Sequence, residues 1–416
     1  MTVDKPSVAV IGAGIIGVTS AAYLIRQGYE VTLFDDQGIG ESTSSGNAGA
    51  FAYVDIYPLP QPSMLLKAPK WFFDPLGPLS IPLGYMPKII PWLSGFLLAC
   101  RPAQVKKGIE TMKGLMTLSR TQAAAFWLDW DMSAYIVKHG SLNLYESVKA
   151  FEKDKQKWLD SEQQDFEIEF LEGAEIQQLE PAIDSRFCRA VRVFDWPLVN
   201  DPKVYTKAVG NKVIDAGASL VERRIVQIKA DADKVNLVDQ AGEHRQFDKA
   251  VIAIGSWSNL LTAQLGDKLP LDAERGYNTT IADSNIHLDH MLLFPEYGFV
   301  ASPLACGLRI GGANELAGTD YPPNYKRAEH LLDKAKQFLP GLNSEGGTQW
   351  MGRRPSLADT QPLIDYSSAS KNVVYAFGHG HYGLTQSAAT GKLVSELIDQ
   401  KPLSVDIDGI KLKRFK

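Results

Sequence analysis

Cysteine is scarce in this chain, and long hydrophobic runs are missing. The 416 residues include only three cysteines, which are far apart and form no CxxC pair: Cys100, Cys188 and Cys306. This count does not suggest a disulfide framework and is typical of a reducing compartment. The segment that comes nearest to a transmembrane helix, 81–100, carries three prolines and a lysine. Its uninterrupted apolar part is therefore too short to span a bilayer.

An excess of positive charge is missing too. The net charge is −5 at pH 7, and no cluster of lysine and arginine overrides this average, so we expect no nucleic-acid partner. His287 and His290 have no further ligands at a useful spacing, so we also expect no metal site. The segment 7–17 follows Asp4 and Lys5 and lacks a convincing cleavage site. We interpret it as a buried strand entering a turn, not as a secretory signal, and we expect a cytoplasmic protein.

What the chain does contain is enough apolar sequence for a large core. It is 45% hydrophobic and 22% charged, which is ordinary for a globular protein, and its length predicts two domains. Val8–Ile11 is a continuous apolar run suited to a strand buried on both faces of a parallel sheet. A helix is predicted from about Ile15 to Gln27, and a second strand over Glu30–Phe34.

The turn between the first strand and this helix has the pattern GxGxxG. Gly12 permits the tight turn, Gly14 lets the backbone approach a pyrophosphate, and Gly17 lets the helix pack closely on the strand. The pyrophosphate would lie at the helix N-terminus, where free N–H groups and the helix dipole favour an anion. Asp35 ends the second strand and can accept a hydrogen bond from a ribose hydroxyl. The arrangement predicts a dinucleotide site.

The glycine motif leaves NAD and FAD both open, and two further segments favour FAD. The segment 44–49 follows the second strand closely and consists of small residues and hydrogen-bond donors suited to lining a cofactor. The run 250–255 is a second buried strand that ends in a glycine, with Trp257 just beyond it. Such a strand commonly forms the far wall of an FAD site. Either segment alone would be an unremarkable loop, and together they favour FAD.

The rest of the chain carries further helix and strand signals. Residues 58–101 are rich in proline and tryptophan, and we interpret them as an excursion from the nucleotide-binding sheet and not as a sheet element. Helices are predicted over 106–130, 150–161 and 201–216, and strands over 141–145, 219–228, 234–238, 247–255 and 373–377. Residues 271–316 have the strand and turn signals of an antiparallel domain. The chain closes with a glycine loop, 378–383, followed by a helix.

These segments together resemble the superfamily of D-amino acid oxidases and glycine oxidases, and within it most closely the D-amino acid dehydrogenases. The matching segments run in the expected order over nearly the whole chain. They are Val10–Gly17, Gly46–Gly49, Lys70–Phe73, Arg275–Tyr277, Gly307–Gly312, Gly352–Pro355 and Gly378–Thr385. The glycine fingerprint is shared with many flavoproteins, whereas the last two segments are much more specific.

The resemblance implies roles for particular residues. Arg354 resembles the family's ligand for the substrate carboxylate, a task that suits the planar fork of a guanidinium. Arg353 beside it departs from the pattern, because many relatives carry an apolar residue there. His381 and Tyr277 are the other catalytic candidates, as pocket residues that shape substrate choice, although His381 could equally be a structural histidine.

The candidate cofactor contacts come from the glycine turn, the second strand, the 44–49 loop, the 250–257 region and the C-terminal loop. That loop would lie against the flavin ring, where backbone N–H groups and the start of the last helix would stabilise the reduced state. The full set is Gly12, Gly14, Ile15, Ile16, Gly17, Asp35, Asp36, Ser44, Ser45, Asn47, Ala48, Gly49, Val226, Ala253, Gly255, Trp257, Gly378, His379, Gly380, Gly383, Leu384 and Thr385. Cys306 looks like a strand start and not a flavin tether, so we expect non-covalent FAD.

The expected fold class is α/β, a Rossmann-type FAD-binding domain with a second α+β substrate domain built on a mostly antiparallel sheet. We expect a discontinuous FAD-binding domain, 1–60, 145–265 and 345–416, and a substrate domain formed by 61–144 and 266–344. The implied reaction is the oxidation of a D-amino acid, proline-type substrates included, by hydride transfer to flavin N5.

The electron acceptor and two other functions stay open. Dehydrogenase relatives pass electrons to a membrane quinone, and 58–100 could lie on the inner face of the cell membrane. The alternative is that this segment packs against the substrate domain or a partner chain. One alternative function is an oxygen-using amine oxidase for glycine, sarcosine or L-proline. The other is a non-catalytic FAD-binding subunit of a larger complex.

Overall fold

A computed structural model describes residues 5–62, 79–162 and 165–415. The Lys70–Phe73 segment lies outside the described residues. Four sheets, one of them only a two-stranded ribbon, and the helices around them make up the described part of the chain. The predicted opening is confirmed: the first strand is Ser7–Ile11, the helix is Ile15–Arg26, and the second strand is Glu30–Phe34.

The first sheet has six strands and is built around the N-terminal strand. Its apolar run from Val8 to Ile11 is buried on both faces, as the composition predicts. All neighbouring strands are parallel except the first pair of the spatial order, which is antiparallel. That order is Leu363–Tyr366, Val373–Phe377, Lys249–Ile252, Ser7–Ile11, Glu30–Phe34 and Ser219–Val221.

The largest sheet has nine strands and is mostly antiparallel. Eight of them follow one another, in the spatial order Thr348–Leu357, Leu271–Ile281, Gly307–Leu316, Phe299–Leu304, Met291–Phe294, Ser141–Tyr145, Arg189–Val193 and Ile168–Glu172. The ninth, Leu79–Ser80, pairs in parallel with Gly307–Leu316. The expectation that 58–101 holds no sheet element is therefore wrong for these two residues, which reach the sheet where Phe299–Leu304 has already ended.

The third sheet is a small antiparallel one, formed by Ile225–Ala230, Val235–Asp239 and His244–Phe247. Its first strand corrects the prediction of one strand over 219–228. The chain forms two strands there, and they belong to different sheets. The reason is local, because the three residues that separate them, Glu222 to Arg224, are charged and exposed and carry the chain from one sheet to the other.

A remaining pair of short strands, Ile136–Val137 and Leu198–Val199, forms a separate ribbon. Five of the nine α-helices of the described residues correspond to predicted ones, whereas Met86–Ala99, Gly173–Leu179, Asn259–Thr262 and Lys326–Phe338 were not predicted. In chain order the nine are Ile15–Arg26, Met86–Ala99, Pro102–Asp129, Val148–Glu162, Gly173–Leu179, Pro202–Asp215, Asn259–Thr262, Lys326–Phe338 and Gly383–Ile398.

The last helix is the centre of the helical packing. Nearly all of Gly383–Ile398 is buried, and it packs against both the N-terminal helix and the long helix Pro102–Asp129. Gly391 makes this contact possible, because a Cβ there would lie 2.9 Å from the carbonyl oxygen of Thr19 and 2.7 Å from the ring of Tyr23. The start of the last helix is thereby fixed beside the glycine turn of the first sheet.

The domain boundaries drawn from the sequence stay a prediction. Three strands that those boundaries assign to the FAD-binding part, Ile168–Glu172, Arg189–Val193 and Thr348–Leu357, are hydrogen-bonded in the nine-stranded sheet. The two expected domains therefore share this sheet at its edges.

No single helix among the described residues is long and apolar enough to cross a membrane. The pair Leu83–Ala99 and Pro102–Asp129 meets the length and composition criteria only when taken together, and the two are bent by 88° relative to each other.

Candidate active site

A cavity of about 440 Å³ lies where the first sheet, the large sheet and the last helix meet. Its wall begins at the end of the second strand, at Asp35 and Asp36, and passes the glycine turn. It ends at the loop before the last helix, where Arg354 and His381 face it from two different elements.

The glycine turn brings backbone, and not side chains, to this cavity. Gly12 has a φ of +107°, and a Cβ there would lie 2.4 Å from the carbonyl oxygen of Ala253. Only glycine adopts this conformation readily and leaves that space free. The helix that follows has no side-chain cap at Gly14, and its Ile15 N–H donates to Ser44 Oγ at 2.9 Å. A helix N-terminus of this kind is a favourable place for an anion.

Asp35 closes the turn from the neighbouring strand. One carboxylate oxygen accepts the N–H of Ala13 at 2.8 Å, and the other accepts the N–H of Gln37 at 2.9 Å. Burial raises the pKa of this carboxyl, although these backbone donors act in the opposite direction. Asp35 therefore fixes the shape of the turn, and it lines the cavity where a ribose hydroxyl was expected.

The loop 44–49 is held from the large sheet. Asn278 donates from Nδ2 to the Gly46 carbonyl at 2.8 Å, and Arg309 donates from Nη1 to the Asn47 carbonyl at 2.6 Å. The Asn47 side chain itself bridges the loop, because it donates to the Ser44 carbonyl and accepts the Gly49 N–H. Two side chains of the large sheet thus determine where this wall of the cavity lies.

Arg354 is the cationic group of the far wall. Its Nη1 donates to Asn314 Oδ1 at 2.6 Å and lies 3.5 Å from Glu274 Oε1. Glu274 and Arg354 are directly opposite each other on paired antiparallel strands. The guanidinium lies over Gly276, where a Cβ would be 2.2 Å from Nη2, which gives the glycine of the Arg275–Tyr277 segment a physical reason. Nε and Nη2 of Arg354 donate to no other described residue.

Glu274 joins this strand pair to the C-terminal loop. Its Oε1 lies 2.5 Å from His381 Nε2, and the carboxylate is only 4% exposed. Burial alone would raise the pKa of Glu274, but the positive charges of His381 and Arg354 and the bond to His381 outweigh burial and lower the pKa to about 2. The carboxylate therefore stays ionised and holds the Arg354 and His381 side chains at the cavity.

Arg353 is separated from Arg354 by the alternation of the strand. It is not among the cavity-lining residues of the described chain. Its Nε donates to the Thr319 carbonyl at 2.8 Å, and its guanidinium lies over the Trp257 ring. Of the two neighbouring arginines, only Arg354 presents its charge to the cavity.

Comparison with known proteins identifies the family of this chain. A family model described as DAO, FAD dependent oxidoreductase, matches residues 7–397. The chain belongs to this family. It is 34% identical to a D-amino-acid oxidase of Bradyrhizobium diazoefficiens, over 98% of each chain. The expectations of an FAD-dependent enzyme and of membership in this amino acid oxidase and dehydrogenase superfamily are confirmed.

Solved structures of low sequence identity share the fold. A glycine oxidase from Geobacillus kaustophilus has a TM-score of 0.78 and 19% identity, with 99% of each chain covered. An L-proline dehydrogenase from P. horikoshii has a TM-score of 0.74 and 18% identity, covering 99% of this chain and 98% of its own. The predicted fold class, a Rossmann-type FAD-binding part with a mostly antiparallel second sheet, is confirmed.

The cavity of this DAO family member fits FAD. Besides the glycine turn, the wall contains a buried ring nitrogen, Nδ1 of His379, that has no hydrogen-bond partner among the described residues. The other ring nitrogen lies 2.9 Å from Thr390 Oγ1. Burial lowers the pKa of His379 to about 3, so the ring is neutral. The free nitrogen of this neutral ring can form a hydrogen bond to a polar cofactor, whereas an apolar ligand would leave it without a partner.

Most of the predicted cofactor residues line the cavity. They are Gly12, Gly14, Ile15, Ile16, Asp35, Asp36, Ser44, Asn47, Ala48, Ala253, Gly255, Trp257, His379, Gly380, Gly383, Leu384 and Thr385. Gly17, Ser45, Gly49 and Gly378 do not, and they shape the backbone instead. A Cβ at Gly17, for example, would lie 1.8 Å from the Gly12 carbonyl oxygen. Cys306 is not part of the described wall either, and non-covalent attachment stays a prediction.

Two predicted residues point away from the cavity. Tyr277 is buried in the core of the large sheet, where its hydroxyl donates to Glu315 Oε2 at 2.5 Å and accepts the Asn324 N–H at 3.0 Å. It lies on the face of its strand opposite to Glu274. Val226 is 40% exposed, because its neighbour Ile225 occupies the inward position of that strand.

Sequence reasoning missed two acidic residues of the site. Asp55 lines the cavity, and Glu274 binds the cavity residues His381 and Arg354. Asp55 occurs within an apolar stretch, Tyr53–Tyr57. A carboxylate in an apolar run must find a partner or face a cavity, because burying a lone charge is costly. That signal could have identified Asp55, whereas Glu274 stands next to Arg275 in the sequence and gives no such signal.

The pKa of Glu274 predicts a specific pH dependence of stability. Because the folded-state pKa is lowered from 4.5 to about 2, its contribution is complete above the unfolded-state pKa and disappears as the pH falls towards 2. The shift corresponds to about 3 kcal/mol. We expect Glu274→Gln to lower the free energy of unfolding by about that amount at pH 7. The measurement is urea unfolding of both proteins at pH 7, 5, 4 and 3.5. The difference between them should be constant from pH 7 to 5 and shrink below, and a difference independent of pH would contradict this assignment.

Proposed function

We propose that this enzyme oxidises the C–N bond of a small D-amino acid, proline-type substrates included, and passes the electrons to a quinone or another acceptor and not directly to oxygen. Arg354 is the residue that most directly supports an amino acid as the substrate. It is a cation in the wall of the FAD cavity with two donors, Nε and Nη2, that bind no other described residue. A planar pair of donors matches a carboxylate at two points.

The neighbours of Arg354 prepare it for this task. Glu274 balances its charge, and Asn314 fixes its orientation, so the guanidinium does not need to reorganise when a carboxylate binds. Bound FAD supplies the two-electron acceptor for the oxidation. The protein contributes by holding the substrate in one orientation and by excluding water, and such positioning accounts for a large part of enzymatic rate enhancements.

The 34% identity to a D-amino-acid oxidase over 98% of the chain favours the D configuration. The similar structures named for glycine oxidase and L-proline dehydrogenase are under 20% identical and speak for the fold alone. An oxygen-using amine oxidase and a non-catalytic FAD-binding subunit therefore remain the two rival functions, and both are decided by the same experiment.

The experiment is anaerobic reduction of the purified yellow protein. We expect D-amino acids, with D-proline and hydroxyproline isomers in the panel, to bleach the flavin absorbance within seconds, and the L-isomers, glycine and sarcosine to leave it unchanged. The reduced protein is then mixed with air or with a soluble quinone analogue. Fast reoxidation by the quinone and slow reoxidation by air is the dehydrogenase result.

Each rival has its own outcome. Bleaching by glycine, sarcosine or L-proline with rapid peroxide formation in air would establish the oxidase function. Protein with full FAD occupancy that no amine bleaches would overturn the proposal and leave the subunit function.

Arginine substitution tests the carboxylate site. We expect Arg354→Ala to lower kcat/KM for the best substrate by about 10²- to 10³-fold, equivalent to about 3–4 kcal/mol, because the carboxylate loses its buried charged partner. Steady-state kinetics with the quinone analogue measures the change. Arg353→Ala is the matched control, because that side chain does not face the cavity in the described chain, and its kcat/KM should stay within about threefold. Equal losses in both variants would refute the assignment.

We also infer that the surface around the helix Met86–Ala99 contacts a lipid bilayer. Four large apolar side chains of this region are exposed, Leu83, Ile90, Leu97 and Leu98. Exposed basic residues follow shortly after this helix in the sequence, at Arg101, Lys106 and Lys107. Apolar side chains beside lysine and arginine are the pattern of interfacial helices that bind anionic membranes. Such contact would bring the enzyme to a membrane quinone.

Vesicle sedimentation tests the membrane contact. We expect the protein to sediment with vesicles that contain anionic lipid and the double variant Leu97→Asp/Leu98→Asp to remain in the supernatant, since each charge must leave water on binding. The control is Leu128→Asp, an exposed leucine at the far end of the long helix, which should sediment as the unchanged protein does. Wild-type protein that stays in the supernatant would exclude this contact.

A further inference from the structure

Asp55 is a cavity carboxyl with no evident structural task. It lines the cavity together with Arg354, His381 and Tyr382. Its backbone N–H donates to the Ala52 carbonyl, but its side chain makes no hydrogen bond or ion pair with any described residue. The other cavity carboxylates differ from it in this respect. Asp35 is held by two backbone N–H groups, Asp36 pairs with Arg224, and Glu41 pairs with Lys203 and Lys207.

The position of Asp55 is fixed by the start of the last helix. The Ala52 N–H donates to Thr385 Oγ1 at 3.1 Å, and the same hydroxyl lies 3.4 Å from the Ala50 carbonyl oxygen. Ile56, the next residue, packs against Tyr382 and two methionines of the long helix. The segment that carries Asp55 is therefore attached to the element that forms the substrate end of the cavity.

Tyr382 lies near Asp55 and also near Glu274, the carboxylate that pairs with Arg354. The pKa of Tyr382 is raised well above its usual value, because its hydroxyl is removed from water and because two carboxylates, Asp55 and Glu274, lie near it. The cavity wall thus contains Tyr382, the unpaired carboxyl of Asp55 and the guanidinium of Arg354, whose charge Glu274 balances. A zwitterionic amino acid carries the opposite charge at each of these places.

We propose that Asp55 binds the ammonium nitrogen of the substrate and accepts a proton from it before oxidation. The assignment rests on the proposed function and names the proton acceptor of that same site. In this step an N–H bond of the ammonium breaks, its electron pair stays on nitrogen, and an O–H bond forms on the Asp55 carboxylate. The free amine then has the lone pair that C–N oxidation requires. No electrons are transferred in this step, so it needs no further reactant.

The surroundings of Asp55 suit a group that exchanges protons near neutral pH. Burial raises the pKa of Asp55 to about 6, and the positive charge of Lys157 opposes this only in part. Lys157 belongs to the helix Val148–Glu162, and the other titratable groups that face this region are Tyr57, Tyr382, His381, Glu274 and Arg354. A base works best when its pKa lies close to the working pH.

The test compares the pH dependence of flavin reduction in wild-type protein and Asp55→Asn, using the best amino acid of the anaerobic panel. In the wild type kcat/KM should fall below about pH 6 and be flat above it. In the variant it should be about 10²-fold lower at pH 7. It should then rise with pH towards the pKa of the substrate ammonium, because only free amine from solution can react. The gap between the two proteins should therefore narrow above pH 9.

Two controls separate proton transfer from a role in shaping the cavity. Propionate, which has a carboxylate and no amine, should shift the flavin spectrum of wild type and Asp55→Asn with the same dissociation constant within about threefold. Asp160→Asn removes a neighbouring carboxylate that binds Tyr57 and Gln156 outside the described cavity wall, and it should retain the wild-type pH profile. Asp55→Ser repeats the comparison with a smaller side chain, should the asparagine variant bind FAD poorly.

The outcomes are distinct. Coincident pH profiles of wild type and Asp55→Asn, or an equal weakening of propionate and substrate binding, overturn the assignment of Asp55 and leave the proposed function intact. Wild-type protein that no amino acid bleaches overturns the proposed function itself.

Discussion

The active-site end of this molecule depends on one buried carboxylate. A guanidinium in the wall of a cavity needs an opposite charge beside it, because an unpaired buried charge costs several kcal/mol. Glu274 supplies this charge to Arg354 from the neighbouring strand and also binds His381 of the C-terminal loop. One side chain therefore fixes the relative positions of the large sheet and of the loop that precedes the last helix.

The cofactor end depends on a second set of connections, between the large sheet and the loops around the glycine turn. Asn278 and Arg309 of the large sheet hold the carbonyls of Gly46 and Asn47, while the Arg353 carbonyl accepts the hydroxyls of Thr43 and Ser256. These bonds run between the sheet that carries Arg354 and the loops around the glycine turn. Cofactor cavity and carboxylate site thus form one continuous space, and a single fold element cannot shift without disturbing both.

Much of the fold could be predicted from local patterns. The glycine motif predicts the strand, turn and helix, because a Cβ at Gly12 or Gly17 would collide with the backbone of a neighbouring residue. Arg354 followed from a resemblance, and the cavity agrees with it. Tyr277 failed because its motif carries no information on which face of the strand its side chain occupies, and the strand turns it into the core. The prediction of one strand over 219–228 was wrong because it relied on local β propensity and did not take into account the three exposed charged residues that interrupt the strand.

The sequence by itself determined the glycine turn, the strands and helix around it, and the family, because these depend on spacing along the chain. Tertiary structure alone decided that Glu274 balances Arg354, that Arg353 turns away, and that Asp55 faces the same cavity as Arg354. Glu274 is 80 positions away from Arg354 in the sequence and 107 positions away from His381. Their meeting depends on strand register and on how sheet and helix pack, and neither leaves a periodic trace in the sequence.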